Sequence, residues 1–192
     1  MHFAATHSIL QCESIEASGG TLKSMQPFGE GRAPASMSGD GFVTVADGTA
    51  RWGRFGAAGV LVRCADADGS WSYFLARRSE WCHQGGCWAV PGGALMQGEA
   101  PLEGARREFA EEIGDVLGEG FRVADVHEDD HGGWSYWTIV VEVPEPFAVP
   151  APANWETAEA GWIPHSRLPE LELLAAFRRT LVRLGILDEA GP

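Results

Sequence analysis

The spacing of apolar and polar residues predicts three strands before the first helix. Residues 55–64 and 71–77 are rich in apolar residues, and a turn-forming segment containing Asp and Gly separates them. Residues 88–91 form a shorter apolar run, which predicts a strand that leads into a turn at Gly92 and Gly93.

The second half of the chain shows the same kind of pattern. Residues 121–127 and 134–143 predict strands on either side of an acidic turn, and residues 158–163 predict another strand. Residues 144–152 contain four prolines and are expected to form a rigid loop. Apolar residues at helical spacing over residues 168–184 predict an amphipathic closing helix. Strands flanked by two helices indicate an α/β fold.

A helix is predicted over residues 99–113. Pro101 suits a first turn, Gly104 weakens the middle by about 1 kcal/mol relative to Ala, and Gly114 suits a left-handed cap. At about 100° per residue, one side of this helix is apolar. The apolar positions are Leu102, Ala105, Phe109, Ile113 and Val116.

A separate arc of the same helix collects three carboxylates, Glu108, Glu111 and Glu112. Like charges at this spacing destabilise an isolated helix by about 0.2–0.5 kcal/mol per pair. Either the arc is a solvated acidic face that binds nothing, or a cation neutralises it. Oxygen ligands without His or Cys favour Mg²⁺, for which Mn²⁺ can substitute, and bound Mg²⁺ usually recruits substrate phosphate oxygens.

The residues around this arc resemble the Nudix box, Gly-x5-Glu-x7-Arg-Glu-U-x-Glu-Glu-x-Gly-U, in which U is a bulky apolar residue. The matching positions are Gly93, Glu99, Arg107, Glu108, Phe109, Glu111, Glu112 and Gly114. The last U is Asp115, with Val116 one residue later, which we interpret as a change in how the helix end packs. The chain is therefore identified as resembling the Nudix hydrolases.

This resemblance implies an α/β/α sandwich with a mixed central β-sheet, in which the box forms a loop–helix–loop. It also implies Mg²⁺-dependent cleavage of the diphosphate bond in a nucleoside diphosphate linked to another group. The first candidate substrate is a nucleoside triphosphate, including oxidised forms, which would give the monophosphate and pyrophosphate. ADP-sugars and dinucleotides are alternative substrates.

The resemblance also assigns roles to the box residues. The implied metal ligands are the Gly92 carbonyl and the carboxylates of Glu108, Glu111 and Glu112. Arg107 and Glu99 are expected to orient these carboxylates. The general base in this family is either a box glutamate or a carboxylate from a distant loop. The distant candidates here are Glu156 and Glu159, with Asp129 and Asp130 behind them, although each could be an ordinary exposed acid.

Substrate contacts have weaker signals. Arg77 and Arg78 end the second strand, where they could contact phosphate or form surface salt bridges. His83 could line the pocket or have a structural role. Asn154, the only asparagine, lies beside Trp155 and could recognise a base or simply form a turn.

Composition limits the other possibilities. The 192 residues are 45% hydrophobic, which is enough for one sizeable core. We predict a poorly ordered extension over residues 1–50, rich in Gly, Ser, Ala and Pro, and a hydrolase domain over residues 51–192. The net charge of −13 argues against nucleic acid polymers and anionic membranes as partners.

The cysteines and the lack of a long apolar run make the cytoplasm the expected location. A small phosphorylated molecule is the expected partner, and the chain could be a monomer or a homodimer.

The sequence leaves one alternative metal site and two alternative functions to weigh. Cys82, His83 and Cys87 could suggest zinc, but a fourth ligand is not evident nearby. A catalytically silent nucleotide sensor would commonly lose box carboxylates, whereas this box retains them. An isoprenoid diphosphate isomerase on the same fold would need an active-site cysteine, for which Cys87 is the candidate. Retention of the complete carboxylate set favours a hydrolase.

Overall fold

The computed structural model describes residues 37–82, 84–149, 151 and 155–189. Its elements are, in chain order, β1 (Phe42–Thr44), β2 (Ala50–Trp52), β3 (Ala57–Ala65), β4 (Trp71–Arg78), β5 (Trp88–Ala89), β6 (Gly92–Ala94), α1 (Pro101–Glu112), β7 (Arg122–Asp130), β8 (Ser135–Glu142), β9 (Thr157–Pro164), a 3₁₀ helix (His165–Glu170) and α2 (Ala175–Arg183).

Within the described residues, seven strands form one mixed sheet around β3. Strand β3 pairs antiparallel with β4 and β6, and parallel with β8. Strand β7 extends the sheet beyond β8, while β5 and β9 both pair antiparallel with β4. The start of β3 therefore lies between β8 on one edge and β6, which leads into α1, on the other.

Both faces of the sheet are covered, because successive residues of β3 point to opposite sides. Val60 and Val62 join the core beneath α1, where Phe109 is buried. Leu61 faces the other way, into a second core that contains Phe177 of α2. Full burial of each such side chain contributes about 1.5–3 kcal/mol. These two cores confirm the α/β/α sandwich.

The strands expected from periodicity are present, with shifted ends, but three short strands were not predicted. Strands β1, β2 and β6 have three residues each, too few to show an alternating pattern. Gly92 and Gly93, predicted as a turn, lie in β6 opposite Gly59 and Ala58. The acidic turn was also misplaced, because Asp130 ends β7 and the following turn uses glycines with positive φ.

The predicted helix over residues 168–184 is wrong in its first part. A 3₁₀ helix ends at Glu170, and Leu171 is extended. The backbone then pairs with β5: Trp88 donates to the Glu172 carbonyl (2.8 Å), and Leu174 donates to the Trp88 carbonyl (2.9 Å). Pairing with the sheet therefore replaces the first turns of the predicted helix, and α2 begins only at Ala175.

The hairpin formed by β1 and β2 crosses the predicted domain boundary near residue 50, with Phe42 paired to Trp52. Residues 1–36 lie outside the described part of the chain, so the extents of the extension and of the domain stay predictions. In the part that the structure describes, no helix is long and apolar enough to cross a membrane. The cytoplasmic location also stays a prediction.

Candidate active site

Helix α1 carries the box carboxylates, and the loop before it packs closely against Gly104 within the helix. A Cβ at Gly104 would lie 2.3 Å from Leu95 Cδ2 and 2.9 Å from Glu99 Oε2. The close approach of this loop offsets the cost of a glycine in the helix, about 1 kcal/mol. The loop thereby places Glu99 beside the helix.

The end of α1 agrees with the sequence prediction. Gly114 has φ +112 and donates to the Ala110 carbonyl at 2.9 Å. Asp115 is exposed, whereas Val116 packs against the core beneath α1. Val116 thus supplies the apolar contact at the helix end, while Asp115 lies at the surface.

The Arg107 guanidinium links the loop to the helix. Its Nε and Nη2 donate to Glu99 Oε1 and Oε2, each at 2.9 Å, and its Nη1 donates to Glu108 Oε1 at 2.6 Å. Nη2 also donates to the Ala94 carbonyl at 2.9 Å. The hydrogen bond from Arg107 lowers the pKa of Glu99. Arg107 thus contacts both Glu108, which we expect to bind metal, and strand β6 beside it.

Glu112 is the more deeply buried end of the arc. Its Oε1 accepts a hydrogen bond from the Gly92 amide (3.2 Å), and its Oε2 accepts one from Thr157 Oγ1 (3.4 Å). Burial raises the pKa of Glu112 to about 7, and the negative charges of Glu108 and Glu156 add to this effect. Burial also raises the pKa of the Tyr136 hydroxyl, with a further contribution from Glu112.

Glu108 lies against β6, where a side chain would not fit. A Cβ at Gly93 would be 2.3 Å from Glu108 Oε2. Burial raises the pKa of Glu108, and the hydrogen bond from Arg107 opposes that shift. By contrast, 58% of the Glu111 side chain is exposed, and its Oε1 lies 3.5 Å from Arg107 Nη1.

The chemistry of these donors fits a hard divalent cation. All are oxygens, and two of them belong to Glu108 and Glu112, partly buried carboxylates whose negative charges repel each other. In the described part of the chain, no three His, Cys, Asp or Glu side chains form a group that could hold an ion as they stand. Of the three box carboxylates, Glu111 is the exposed one.

A cavity of about 370 Å³ opens beside these carboxylates, within the usual range for small-molecule sites. Its lining residues come from the segment before β1, the ends of β2 and β4, strand β6 and the loop after it, helix α1, and the residue before β9. They are Ser38, Gly39, Asp40, Trp52, Arg78, Gly92, Gly93, Ala94, Met96, Arg107, Glu108, Glu111, Glu112 and Glu156.

The remaining candidates for catalysis and binding differ in whether they line the cavity. Arg78 and Glu156 line it. Arg77 and Glu159 are not among its lining residues and form a salt bridge with each other at 3.2 Å, the alternative we considered for Arg77. His83 and Asn154 lie outside the described residues, so their proposed contacts stay predictions.

The distant carboxylates of β7 have other partners. Asp129 Oδ2 lies 3.2 Å from His131 Nε2, and Asp130 Oδ1 accepts a hydrogen bond from the Gly132 amide at 2.8 Å. Neither residue lines the cavity. Cys87 does not line it either, so the described site contains no support for the isomerase alternative.

Among the residues at the site that sequence reasoning missed are Ser38, Asp40 and Trp52, which line the cavity, and Thr157, which contacts Glu112. Each reaches the site through pairing of distant segments, and the sequence carries no local motif for that pairing. The available sequence signal was the aromatic Trp52 directly before a glycine. In the structure, a Cβ at Gly53 would lie 2.4 Å from the Gly56 carbonyl oxygen.

Comparison with known proteins identifies the family. The model of the NUDIX domain matches residues 54–184. A Mycobacterium tuberculosis protein named "Putative 8-oxo-dGTP diphosphatase 3" is 38% identical over 160 residues, covering 80% of this chain and 72% of that protein. A Bifidobacterium longum nucleoside triphosphate pyrophosphatase/Nudix hydrolase fusion protein is 36% identical over 155 residues, covering 79% of this chain and 32% of that protein.

A solved structure agrees with the sequence relatives. The crystal structure of RenU, a Nudix hydrolase from M. smegmatis, is 28% identical with a TM-score of 0.64, covering 76% of this chain and 93% of that one. The family model spans more than half of the chain and includes every box carboxylate. The chain therefore belongs to the Nudix family and is a pyrophosphohydrolase.

Proposed function

We propose that this enzyme is a Mg²⁺-dependent hydrolase of nucleoside triphosphates, including oxidised ones, that releases the nucleoside monophosphate and pyrophosphate. The observation that carries the proposal is the cavity that the partly buried Glu108 and Glu112 line together with Arg78. Opposite charges in one cavity suit a substrate that is itself anionic and binds together with a cation. The name of the M. tuberculosis relative supports an oxidised purine nucleotide as a member of the substrate class.

The carboxylates of Glu108, Glu111 and Glu112 and the carbonyl of Gly92 would hold Mg²⁺. When bound, Mg²⁺ screens the phosphate charges and lowers the pKa of a coordinated water. Glu99 and Arg107 keep Glu108 in place through the hydrogen bonds described above. Arg78 supplies the positive charge that a phosphate oxygen requires on the wall of the cavity.

The reaction breaks one P–O bond of the anhydride and forms one P–O bond to water. The water proton passes to a carboxylate, and the electron pair of the broken bond leaves with the departing phosphate oxygen. Glu156 is our candidate for the accepting carboxylate, because it lines the cavity and its charge contributes to the raised pKa of Glu112. The same products follow from attack at either phosphorus of that bond.

The test is product release from nucleoside triphosphates, 8-oxo-dGTP, ADP-sugars, dinucleoside polyphosphates and NADH in Mg²⁺. The Glu112→Gln variant provides the blank, because it retains the shape of the side chain but loses its charge. We expect triphosphates to give monophosphate and pyrophosphate above that blank. Turnover of ADP-sugars or dinucleotides alone would overturn the substrate class.

A second arm separates the enzyme from the sensor alternative. Binding of the α,β-methylene analogue of dGTP is measured by calorimetry in the presence of Mg²⁺. Nucleotide binding without turnover of any compound in the panel would support the sensor and contradict our proposal.

A further inference from the structure

One wall of the cavity is built by a segment that precedes the family domain. Ser38, Asp40 and Trp52 line the cavity, whereas the NUDIX model matches the chain only from residue 54. These residues therefore add to the site a surface that lies outside the matched domain. The sequence between them forms the β1–β2 hairpin.

Backbone hydrogen bonds fix this hairpin against the domain. Gly53 donates to the Gly41 carbonyl (2.8 Å) and Arg54 donates to the Gly39 carbonyl (2.7 Å). From the domain, the indole of Trp134 donates to the Gly53 carbonyl at 2.7 Å. Trp52 therefore directly precedes Gly53, whose amide and carbonyl groups are both hydrogen-bonded.

The chain before the hairpin is held equally closely. Gln97 donates to the Met37 carbonyl at 3.1 Å. A Cβ at Gly39 would lie only 1.9 Å from the Leu95 carbonyl oxygen, so the two backbones touch without space for a side chain. The wall formed by residues 38–40 and Trp52 is consequently a fixed part of the site.

Trp52 presents an aromatic surface to this acidic cavity. Its side chain is 46% exposed, and its ring meets that of Phe42 at a centroid distance of 5.0 Å and an interplanar angle of 73°. An edge-on contact leaves a face of the indole available for stacking. The phosphates have Arg78 and the metal ligands as partners, so the uncharged planar part of a nucleotide suits the aromatic wall.

Asp40 adds a hydrogen-bond acceptor to the same wall. Its Oδ2 accepts a hydrogen bond from Ser38 Oγ at 2.8 Å, and its amide donates to Ser38 Oγ at 3.2 Å. A carboxylate repels phosphate and accepts from N–H groups. A guanine-type base offers adjacent N–H donors on its pairing edge, whereas the ring nitrogen at the same position in adenine is an acceptor.

We propose that Trp52 is a specificity-determining residue that stacks on the base of the nucleotide, while Asp40 selects a guanine-type base by accepting from its N–H groups. This inference rests on the proposed hydrolysis of nucleoside triphosphates. It assigns base recognition to the hairpin and phosphate chemistry to the box.

The test compares Trp52→Leu with Trp52→Phe, using dGTP and methyl triphosphate, which has no base. Base stacking on an aromatic residue is worth a factor of about 10 to 100 in binding. We expect Trp52→Leu to raise the KM for dGTP by that factor with kcat nearly unchanged, and Trp52→Phe to stay near wild type. Turnover of methyl triphosphate should be the same in all three proteins.

Trp81→Ala is the matched control, because Trp81 is 88% exposed and does not line the cavity. It should leave the KM for dGTP unchanged. An unchanged KM in Trp52→Leu, or an equal loss with methyl triphosphate, would overturn the stacking role. Circular dichroism of each variant identifies a loss caused by misfolding, in which case Trp52→Met replaces Trp52→Leu, because methionine fills space without an aromatic face, and an unchanged KM for dGTP in that variant would overturn the stacking role.

Asp40→Asn tests base selection separately. The ratio of kcat/KM for dGTP to that for dATP should fall about 10-fold, since a charge-assisted hydrogen bond is replaced by a weaker one. An unchanged ratio would remove Asp40 from the proposal.

Failure of the proposed function gives a different result from failure of this inference. If wild-type enzyme turns over no triphosphate, calorimetry with the α,β-methylene analogue of dGTP still measures the role of Trp52. Weaker binding by Trp52→Leu alone would support the inference without hydrolysis. Equal binding by wild type and variant, or no binding by either, would overturn it.

Discussion

Arg107 and Glu99 form a two-point ion pair, in which Nε and Nη2 of the guanidinium each donate to a different carboxylate oxygen at 2.9 Å. The pair joins helix α1 to the loop before it. Because the third guanidinium nitrogen donates to Glu108 at 2.6 Å, the position of a box carboxylate depends on a residue nine positions earlier in the chain.

Replacing Arg107 by Lys should impair catalysis more than stability. A lysine keeps the charge but lacks the planar set of donors that reaches Glu99 and Glu108 together. Loss of such an orienting partner typically costs a factor of about 10 to 100 in metal affinity or activity. We expect Arg107→Lys to need more Mg²⁺ for half-maximal rate, measured by titrating Mg²⁺ at saturating substrate.

Arg106→Lys is the control for that experiment, because Arg106 pairs with exposed Glu119 on the outer side of the helix. Its Mg²⁺ titration should overlay that of wild type. Glu99→Gln combined with Arg107→Lys should cost little more than either change alone, since both remove the same link. Fully additive losses would show that the two residues act independently.

Substitution of the box carboxylates themselves should lower activity far more than substitution of Arg107. Glu108→Gln and Glu112→Gln each remove a partly buried carboxylate that we assign to the metal, and kcat should fall by orders of magnitude while the fold persists. Asp115→Asn serves as the control at the exposed end of the helix. Near-normal turnover in both glutamine variants, measured with saturating Mg²⁺, would rule out these residues as ligands.

Glu156 and Glu159 were equivalent candidates for the general base in the sequence, and the structure makes them distinguishable. Glu156 lines the cavity, whereas Glu159 pairs with Arg77. We expect Glu156→Gln to lower kcat by about 10²–10⁴, the usual contribution of a positioned base. Single-turnover rates for both variants should show at most a small change for Glu159→Gln. The reverse order would transfer the role to Glu159.

Helix α1 could be predicted because everything that defines it is local. Its carboxylates repeat at i, i+3 and i+4, its apolar residues share another arc, and glycine supplies the cap. The long central strands were also readable, since the eight or nine residues of β3, β4 and β8 carry a sustained apolar pattern.

The remaining parts depend on contacts between distant segments. Thr157 reaches Glu112 only because β9 pairs with β4, and Trp52 reaches the cavity only because its hairpin lies against the domain. Residues 171–174 have apolar spacing compatible with a helix, yet pairing with Trp88 competes successfully for their backbone groups. A single sequence contains the partners in such cases but no local pattern that joins them.

Gly92 offers a test of the close contact between β6 and β3. A Cβ there would lie 2.4 Å from the Ala58 carbonyl oxygen and 2.5 Å from Gly59 Cα, both backbone atoms. Gly92→Ala should therefore destabilise the protein by about 1–3 kcal/mol through overpacking. Gly120→Ala meets nothing within 4 Å and should be nearly neutral. Urea unfolding of both variants would show equal midpoints if the contact were unimportant.

Glu142 lies between two arginines on neighbouring strands. In the sheet register it is opposite Arg63 of β3 and Arg122 of β7. It accepts hydrogen bonds from both, with 2.6 Å between its Oε1 and Arg63 Nη2. The hydrogen bond from Arg63 is the main cause that lowers the pKa of Glu142 below its ordinary value of 4.5.

A lowered pKa in the folded state means that the ionised form stabilises the fold. This contribution is present above pH 4.5 and is lost as the pH falls through the lower folded value. Glu142→Gln should cost about 1 kcal/mol at pH 7, because the site is only partly shielded from water. That cost should disappear in strong acid, where wild type also carries an uncharged side chain. Thermal melts between pH 7 and pH 2 measure the difference, with exposed Glu145→Gln as the control, and a gap that stays constant with pH would contradict the assignment.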